Sequence, residues 1–239
     1  MKCIITYFQN KRIALPYIFN RYCFPKMKEI FPGEMKLYHI FHNLHIKDNL
    51  LESNRIEENK LKQTTEFIHK YKGACIIPHK KVFPELYSIP SYKIGVVMAL
   101  KESADLHLWL EDDAIVYDMN CKTWPEKMIG KDVGLYRQTM HISMINCAFM
   151  LTSLNYDYRL LPVLNNYKKD GKCYPKSSQF EHLLWKHVEN AILLDKNNAI
   201  RHHPYNPSIN KEEVKKWLYD KIPEIEKQDI DLLDLDFKT

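Results

Sequence analysis

The sequence has no long apolar run, no paired cysteines and no low-complexity segment. Nowhere do about 18 apolar residues follow one another, so we expect no membrane-spanning segment. The first residues also lack an apolar stretch long enough for a signal peptide. The six cysteines show neither a CxxC pair nor a zinc-type spacing, which favours free thiols in a reducing compartment. We therefore expect a cytoplasmic protein, with peripheral contact with the inner face of a membrane left open.

The sequence also lacks a block rich in lysine and arginine. The 35 basic and 30 acidic residues give a formal net charge of +5, and basic and aromatic residues are mixed throughout. This balance favours anionic ligands or an anionic membrane surface. Because no nucleic-acid recognition motif is present, we expect no nucleic-acid partner.

What is present indicates a globular α/β protein. The 239 residues, of which 45% are hydrophobic and 27% charged, can bury a sizeable core. The patterns predict strands at 2–8, 36–41, 74–78, 106–110, 134–136 and 146–152. They predict helices from 13 to about 24, and at 50–71, 92–103, 154–167, 177–188 and 211–227, before an acidic tail at 229–236. Alternating strands and helices are typical of an α/β layer fold. We expect one domain over 1–200 and a C-terminal loop and helix over 201–239.

Three adjacent carboxylates, Glu111, Asp112 and Asp113, follow directly on the apolar strand 106–110. Adjacent acids repel one another unless a positive group joins them, and a divalent metal is the simplest such group. Glu111 and Asp113 share one side of an extended chain, so their oxygens can converge on Mg²⁺ or Mn²⁺. In open α/β sheets, ligands bind just beyond the carboxyl ends of strands. The sequence therefore predicts a metal site here, with a solvated surface turn as the alternative.

In this arrangement the sequence resembles the GT-A class of nucleotide-sugar glycosyltransferases. The resemblance lies in the first strand, the helix that precedes the acids, the acidic strand itself, and the segments 148–152 and 180–185. The acidic triplet is similar to the Asp-x-Asp (DXD) element of that class, with Glu111 in place of the first Asp. The Glu-Asp-Asp form is also similar to bacterial lipopolysaccharide transferases. The resemblance implies a GT-A-like, Rossmann-type α/β/α sandwich with a mixed central sheet and a C-terminal helical extension.

The resemblance further implies a metal-dependent glycosyltransferase. Such an enzyme moves a sugar from a nucleotide-diphosphate donor to a hydroxyl of a glycan or lipid-linked acceptor, here in surface glycan or lipopolysaccharide synthesis. The departing diphosphate gains negative charge, which a carboxylate-held Mn²⁺ or Mg²⁺ stabilises as a Lewis acid. On this resemblance Glu111 and Asp113 hold the metal, and Asp112 meets the ribose or sugar hydroxyls of the donor.

Members of the class commonly read the nucleotide with the loop after the first strand. Here that loop corresponds to Tyr7, Phe8, Gln9, Asn10 and Arg12, which offer an aromatic face, amides and a cation. The alternative is that both aromatics end a buried strand and that Arg12 lies on the surface.

Two further residues, Ser91 and Lys93, stand at the start of the predicted helix 92–103. They could face the nucleotide with help from the helix N-terminus. A solvated surface role is the alternative for Lys93.

The resemblance also implies a general base and a third metal ligand. Glu181, at the opening of a later helix, is the candidate base, although it could instead only favour the first helical turn through the macrodipole. His203, or its neighbour His202, is the candidate ligand in a Pro-bounded stretch. Arg201 or Lys211 nearby could contact the phosphates.

Two other classes of function remain open. A metal-dependent phosphotransferase or phosphohydrolase also carries carboxylates at a strand end. Its aspartyl-phosphate form requires Thr or Val two places after the second Asp, whereas here Ala114 and Ile115 follow Asp113. A non-catalytic nucleotide-sugar or glycan-binding relative would explain Glu111 in place of Asp and His182 in place of an acid.

Overall fold

In a computed structural model of the chain, the described residues are 1–9, 12–42, 44–47, 50–53, 74–79, 88–136, 149–166, 183–201 and 211–236. The strands are β1 Lys2–Gln9, β2 Glu34–His42, β3 Leu44–Lys47, β4 Leu50–Ser53, β5 Ala74–His79, β6 Leu106–Glu111, β7 Ala114–Val116, β8 Val133–Leu135, β9 Phe149–Ser153, β10 Ala191–Leu193 and β11 Ala199–Arg201. The α-helices are α1 Ala14–Ile18, α2 Phe24–Ile30, α3 Ser88–Lys101, α4 Trp124–Lys127, α5 Leu154–Asn166, α6 Lys211–Lys221, α7 Lys227–Asp231 and α8 Leu233–Asp236.

Seven of these strands form one sheet, in the order β10-β8-β9-β6-β1-β2-β5. Among the described strands of this sheet, β9 alone runs antiparallel to its neighbours. The central strands β1 and β6 are buried on both faces, which explains why each is a nearly continuous apolar run. Because β1 and β6 are parallel, with Phe8 opposite Glu111, their carboxyl ends lie side by side.

Helices cover both faces of the sheet. One half of the core joins Ile5 and Leu108 to residues of α1, α2 and the C-terminal helices, and the other joins Phe8 and Trp109 to residues of α3 and α5. The layers are therefore α/β/α. The predicted fold class is confirmed: a Rossmann-type sandwich with a mixed central sheet and helices at the C-terminal end, the arrangement expected of a GT-A-like chain.

A buried polar network fixes α3 and α5 against the sheet. Thr6 Oγ1 lies 2.7 Å from His107 Nε2, and His107 Nδ1 lies 2.9 Å from Asp157 Oδ2. With a neutral ring, the hydroxyl donates to Nε2 and Nδ1 donates to the carboxylate. Gly95 of α3 lies directly over this network, where a Cβ would come within 2.8 Å of Thr6 Oγ1 and 3.1 Å of the His107 ring.

Two predicted elements near the N-terminus are wrong in extent or type. The first helix does not stop near Phe24, because a π-helical turn, Phe19–Cys23, carries the chain into α2. Pro25 then stands within the first turn of α2, directly after the π-helical turn. The predicted helix 50–71 instead begins with strand β4, since Leu50–Ser53 pairs with β3. Residues 54–71 lie outside the described part of the chain.

The boundaries of two other helices also differ from the predicted ones. Helix α3 starts at Ser88, four residues before the predicted start. The predicted helix 211–227 ends at Lys221, because Pro223 cannot continue it.

The predicted acidic tail is also wrong, because 227–236 is helical and docked. Asp229 is buried and accepts hydrogen bonds from Arg21 Nη1 at 2.7 Å and from the Tyr22 hydroxyl at 2.5 Å. Ile230 and Leu233 enter the same core as α1. The proposed domain boundary at 200/201 stays a prediction. No helix in the described ranges is both long and apolar enough to cross a bilayer.

Candidate active site at the carboxyl end of β6

The acidic triplet occupies the turn between β6 and β7. Glu111 is the last residue of β6, Asp112 and Asp113 form the turn, and Ala114 begins β7. Strand β11 pairs antiparallel with β7, and this register sets Arg201 opposite Ala114. A cation from a point 88 residues further along the chain is therefore brought beside the acids.

Two arginines contact the three carboxylates. Arg201 donates through Nε to both oxygens of Asp113, at 3.0 and 3.2 Å, and through Nη2 to Glu111 Oε2 at 3.0 Å. Arg12 Nη1 lies 3.5 Å from Asp113 Oδ2. Asp112 points elsewhere and accepts a hydrogen bond from the backbone N–H of Arg12 at 3.1 Å. Glu111 and Asp113 therefore share one side, and Asp112 holds the chain that follows β1.

The site is largely shielded from solvent, which strengthens the attraction between its opposite charges. The side-chain exposures of Glu111, Asp113, Arg201 and Arg12 are 13, 9, 16 and 18%. In such partly buried surroundings, charge pairs attract more strongly than on an open surface. The guanidinium groups therefore supply the positive charge that three adjacent carboxylates require.

The donor atoms present fit a hard divalent cation. Oxygens of Glu111 and Asp113 converge on one guanidinium, and carboxylate oxygens are the ligands that Mg²⁺ and Mn²⁺ prefer. Mg²⁺ is usually held by one or two carboxylates, with water and substrate phosphates completing its coordination. Over the described ranges, no group of three or more His, Cys, Asp or Glu side chains could hold a metal.

No protein-family model matches the chain, and no curated protein matches it either. Several solved structures are similar in arrangement. One is the galactosyltransferase LgtC with donor and acceptor sugar analogues, at a TM-score of 0.48 and 11% identity over 94% of this chain and 98% of that one. Another is CMP:2-keto-3-deoxy-manno-octonic acid synthetase complexed with CTP, at 0.49 and 10% over 93% and 100%. A third is mouse xyloside xylosyltransferase 1 in its apo form, at 0.42 and 13% over 82% and 86%. These scores and identities are low, so the likeness carries no conclusion about activity.

Three of the residues predicted to bind the nucleotide are buried in the structure. Tyr7 is buried, donates its hydroxyl to the Ala114 carbonyl, and stacks on His39 with centroids 5.8 Å apart. Phe8 is buried and stacks on Trp109, also at 5.8 Å. Gln9 is buried as well. Contact of these side chains with a nucleotide stays a prediction that their packing does not support.

The other predicted residues fall in different places. Arg12 joins the acids, as described above. Ser91 and Lys93 lie on α3 as its fourth and sixth residues, so they do not begin the helix, and Lys93 is partly exposed. Three residues lie outside the described part of the chain, and their roles stay predictions: Asn10, Glu181 and His203.

Asp118 positions the start of the strand that carries Arg201, a role that no pattern in the sequence indicates. Its buried carboxylate accepts hydrogen bonds at 2.9 Å from Trp124 Nε1, from the Tyr136 hydroxyl and from Asn198 Nδ2. Burial, together with the nearby Asp118 charge, raises the pKa of Tyr136 well above its usual value, so the phenol stays protonated. Asn198 immediately precedes β11, so Asp118 fixes the start of that strand.

Helix α6 also contacts the two residues that precede β11. Trp217 Nε1 donates to the Asn197 carbonyl at 3.0 Å, and Lys221 Nζ donates to Asn198 Oδ1 at 3.3 Å. The chain that leads to Arg201 is therefore held by contacts with both Asp118 and helix α6.

Proposed function

We propose that the chain is a metal-dependent glycosyltransferase that moves a sugar from a nucleotide-diphosphate donor to an acceptor hydroxyl, in surface glycan or lipopolysaccharide synthesis. The observation that carries the proposal is the convergence of Glu111 and Asp113 on one guanidinium, at the edge where parallel strands end. That edge is where α/β sheets bind their ligands.

In this proposal Glu111 and Asp113 hold Mn²⁺ or Mg²⁺, with His203 as a third ligand. The bound cation would stabilise the charge on the departing diphosphate. Asp112 holds Arg12 through its backbone N–H, which keeps this arginine beside the metal ligands.

The remaining steps belong to residues of the chain itself. The guanidinium groups of Arg12 and Arg201 lie beside Asp113 and would bind the donor phosphates, since arginine suits bidentate phosphate binding. Glu181 takes the proton of the acceptor hydroxyl, which belongs to a glycan or a lipid-linked glycan. The cytoplasmic location, with or without contact with a membrane surface, stays a prediction from the sequence.

A thermal-unfolding screen with UDP, GDP, CDP and ADP, with and without MnCl₂, tests the binding step. A ligand at about 100 times its Kd adds about 2.7 kcal/mol of stability, which corresponds to roughly 5–10 °C in Tm for a chain of this size. We expect one nucleotide to stabilise the protein in this way only with the metal. Asp113→Asn should remove the shift, whereas Asp231→Asn, an exposed acid of α7, should keep it. An undiminished shift in Asp113→Asn would refute the role of this carboxylate.

Product analysis separates the proposed transfer from the two other classes. Incubation of the matching sugar nucleotide with MnCl₂ should release free sugar and nucleoside diphosphate slowly, by transfer to water. A phosphohydrolase would instead break the P–O–P bond and release a sugar 1-phosphate and a nucleoside monophosphate, and a binding relative would release nothing while still showing the thermal shift.

A further inference from the structure

Arg201 lies where the proposed cation would bind. Its one guanidinium contacts Asp113 through Nε and Glu111 through Nη2, all within 3.2 Å. All three side chains are largely shielded from solvent. A divalent cation held by the same two carboxylates would be an immediate neighbour of this guanidinium, and like charges at such a separation repel strongly when water is scarce. The contact seen here and a bound metal therefore compete.

The backbone of Arg201 is not free to follow its side chain. Strand β11 is paired with β7, its start is fixed through Asn198 and Asp118, and α6 contacts the residues before it. If the guanidinium leaves the acids, it moves by rotation of its side chain about a fixed Cα. Its new partner must then be close to the acids and negatively charged. In the loaded site, the donor diphosphate meets both conditions.

We infer that Arg201 is a diphosphate-binding residue that occupies the cation position until the metal binds, and then moves to the donor phosphates. This inference rests on the proposed function. The planar fork of arginine binds carboxylates and phosphates with the same geometry, so one side chain serves both states. Its guanidinium also keeps Glu111 and Asp113 together despite their mutual repulsion.

The exchange makes the metal and the diphosphate depend on each other. Metal alone must separate Arg201 from two carboxylates, which opposes binding of the metal. When a diphosphate is present, the released guanidinium gains a phosphate partner. Each ligand therefore raises the affinity of the other, and by linkage the two effects are equal.

The test measures binding of Mn²⁺, not activity. Free Mn²⁺ is quantified by its electron paramagnetic resonance signal in titrations with MnCl₂ alone and with MnCl₂ plus inorganic pyrophosphate. Pyrophosphate contains the diphosphate group that nucleotide-diphosphate donors share. The free Mn²⁺–pyrophosphate complex is measured separately and subtracted. We expect Arg201→Gln to bind Mn²⁺ alone about tenfold tighter than the unmodified protein, within the usual range of coupling between sites. Pyrophosphate should raise Mn²⁺ affinity about tenfold in the unmodified protein, and little in the variant.

Two further variants serve as controls. Arg201→Lys keeps the charge but loses the fork, so its affinity for Mn²⁺ alone should stay near that of the unmodified protein while the effect of pyrophosphate falls. Arg159→Gln removes another arginine that is paired with two acids, Asp132 and Glu189, which lie outside the site, and it should change neither value. Circular dichroism and urea unfolding confirm that each variant is folded. If Arg201→Gln misfolds, the lysine variant decides alone, and an undiminished effect of pyrophosphate in it overturns the inference.

Failure of the Arg201 exchange and failure of the proposed function give different results. Equal affinity for Mn²⁺ alone in the unmodified protein and in folded Arg201→Gln overturns the exchange and leaves the proposed function standing. Absence of Mn²⁺ binding to the unmodified protein, with or without pyrophosphate, overturns both. Weaker binding in Arg201→Gln would show that Arg201 assembles the metal site, and this also overturns the exchange.

Discussion

His39 of β2 shows at the residue scale how burial sets the charge of a side chain. Its ring is fully buried and stacked on Tyr7. Burial disfavours the charged form and lowers the pKa of His39 from 6.5 to about 3. The native protein therefore keeps this ring neutral at pH values where the unfolded chain protonates it.

The stability of the protein should consequently respond to acid through His39. Between pH 6.5 and about 3 the unfolded state binds a proton at this position that the native state does not. The free energy of unfolding then falls by about 1.4 kcal/mol for each pH unit below the unfolded pKa, and above that pKa the term is constant. His39→Phe keeps an aromatic ring beside Tyr7 and should remove this part of the slope. Urea unfolding from about pH 7.5 down to about 5 measures it, and parallel slopes for both proteins would contradict the prediction.

The acidic site illustrates which residues a sequence can place. The alternation of side chains along an extended chain is local, so the shared side of Glu111 and Asp113 could be predicted before any fold was known. Arg201 could be named only as a neighbour of the phosphates. Its contact with both acids depends on a pairing of three residues between β11 and β7, and such short strands leave little trace in composition.

At the scale of the secondary-structure element, helix α3 packs closely on the sheet at Gly95. A substitution at this position tests how much the close packing contributes to stability. Gly95→Ala would improve helix propensity by about 1 kcal/mol. Its Cβ would, however, press on Thr6 and His107, which are buried and joined to Asp157. We expect a net destabilisation of about 1–2 kcal/mol, since overpacking usually exceeds the propensity gain.

The control for Gly95 lies on the outer side of the same helix. Val97 is 41% exposed, so Val97→Ala should change the free energy of unfolding by less than about 0.5 kcal/mol. Chemical denaturation of both variants gives the comparison. A Gly95→Ala protein more stable than the parent would show that α3 can shift at no cost.

The turn after β7 offers a second test at the element scale. Asp118→Asn places an amide where three side-chain donors and one backbone N–H now meet a carboxylate, so at least one buried donor loses its acceptor. We expect a loss of about 3 kcal/mol, together with changed fluorescence of Trp124. Asn120→Ala keeps the backbone N–H that donates to Asp118 and alters an exposed side chain only, so it should be nearly neutral. An Asp118→Asn protein as stable as this control would show that the carboxylate is dispensable.

At the scale of the whole molecule, the C-terminal helices are part of the main core. The sequence 229–236 has the composition of a solvated acidic tail, yet Asp229 is buried against Arg21 and Tyr22, more than 200 residues earlier. Composition predicts exposure for such a segment because it contains no information about a single partner far away in the sequence. The order of strands and helices over the first half was easier to predict, since it follows from local periodicity.

Asp229→Ala should therefore loosen the C-terminal helices as a unit. Loss of two hydrogen bonds to a buried charge costs about 2 kcal/mol or more. Burial, with the bond to Asp229 as a second cause, raises the pKa of Tyr22 to about 12, and the variant should lower it. Hydrogen exchange over 211–236 and ultraviolet titration of tyrosine measure the two effects. Asp231→Ala, an exposed neighbour on the same helix, should leave both unchanged. Equal protection in the two variants would show that Asp229 does not anchor these helices.

The position of β6 in the sheet also affects how the protein is made. One neighbour of β6, β1, is synthesised before it, but the other, β9, follows roughly 40 residues later, which takes about 2–8 s at ordinary rates of translation. During that interval the nascent chain presents a bare apolar strand on the ribosome, and such an edge readily joins the edge of another chain. The yield of correctly folded protein should thus depend on elongation speed through this interval, even where the finished molecule is equally stable.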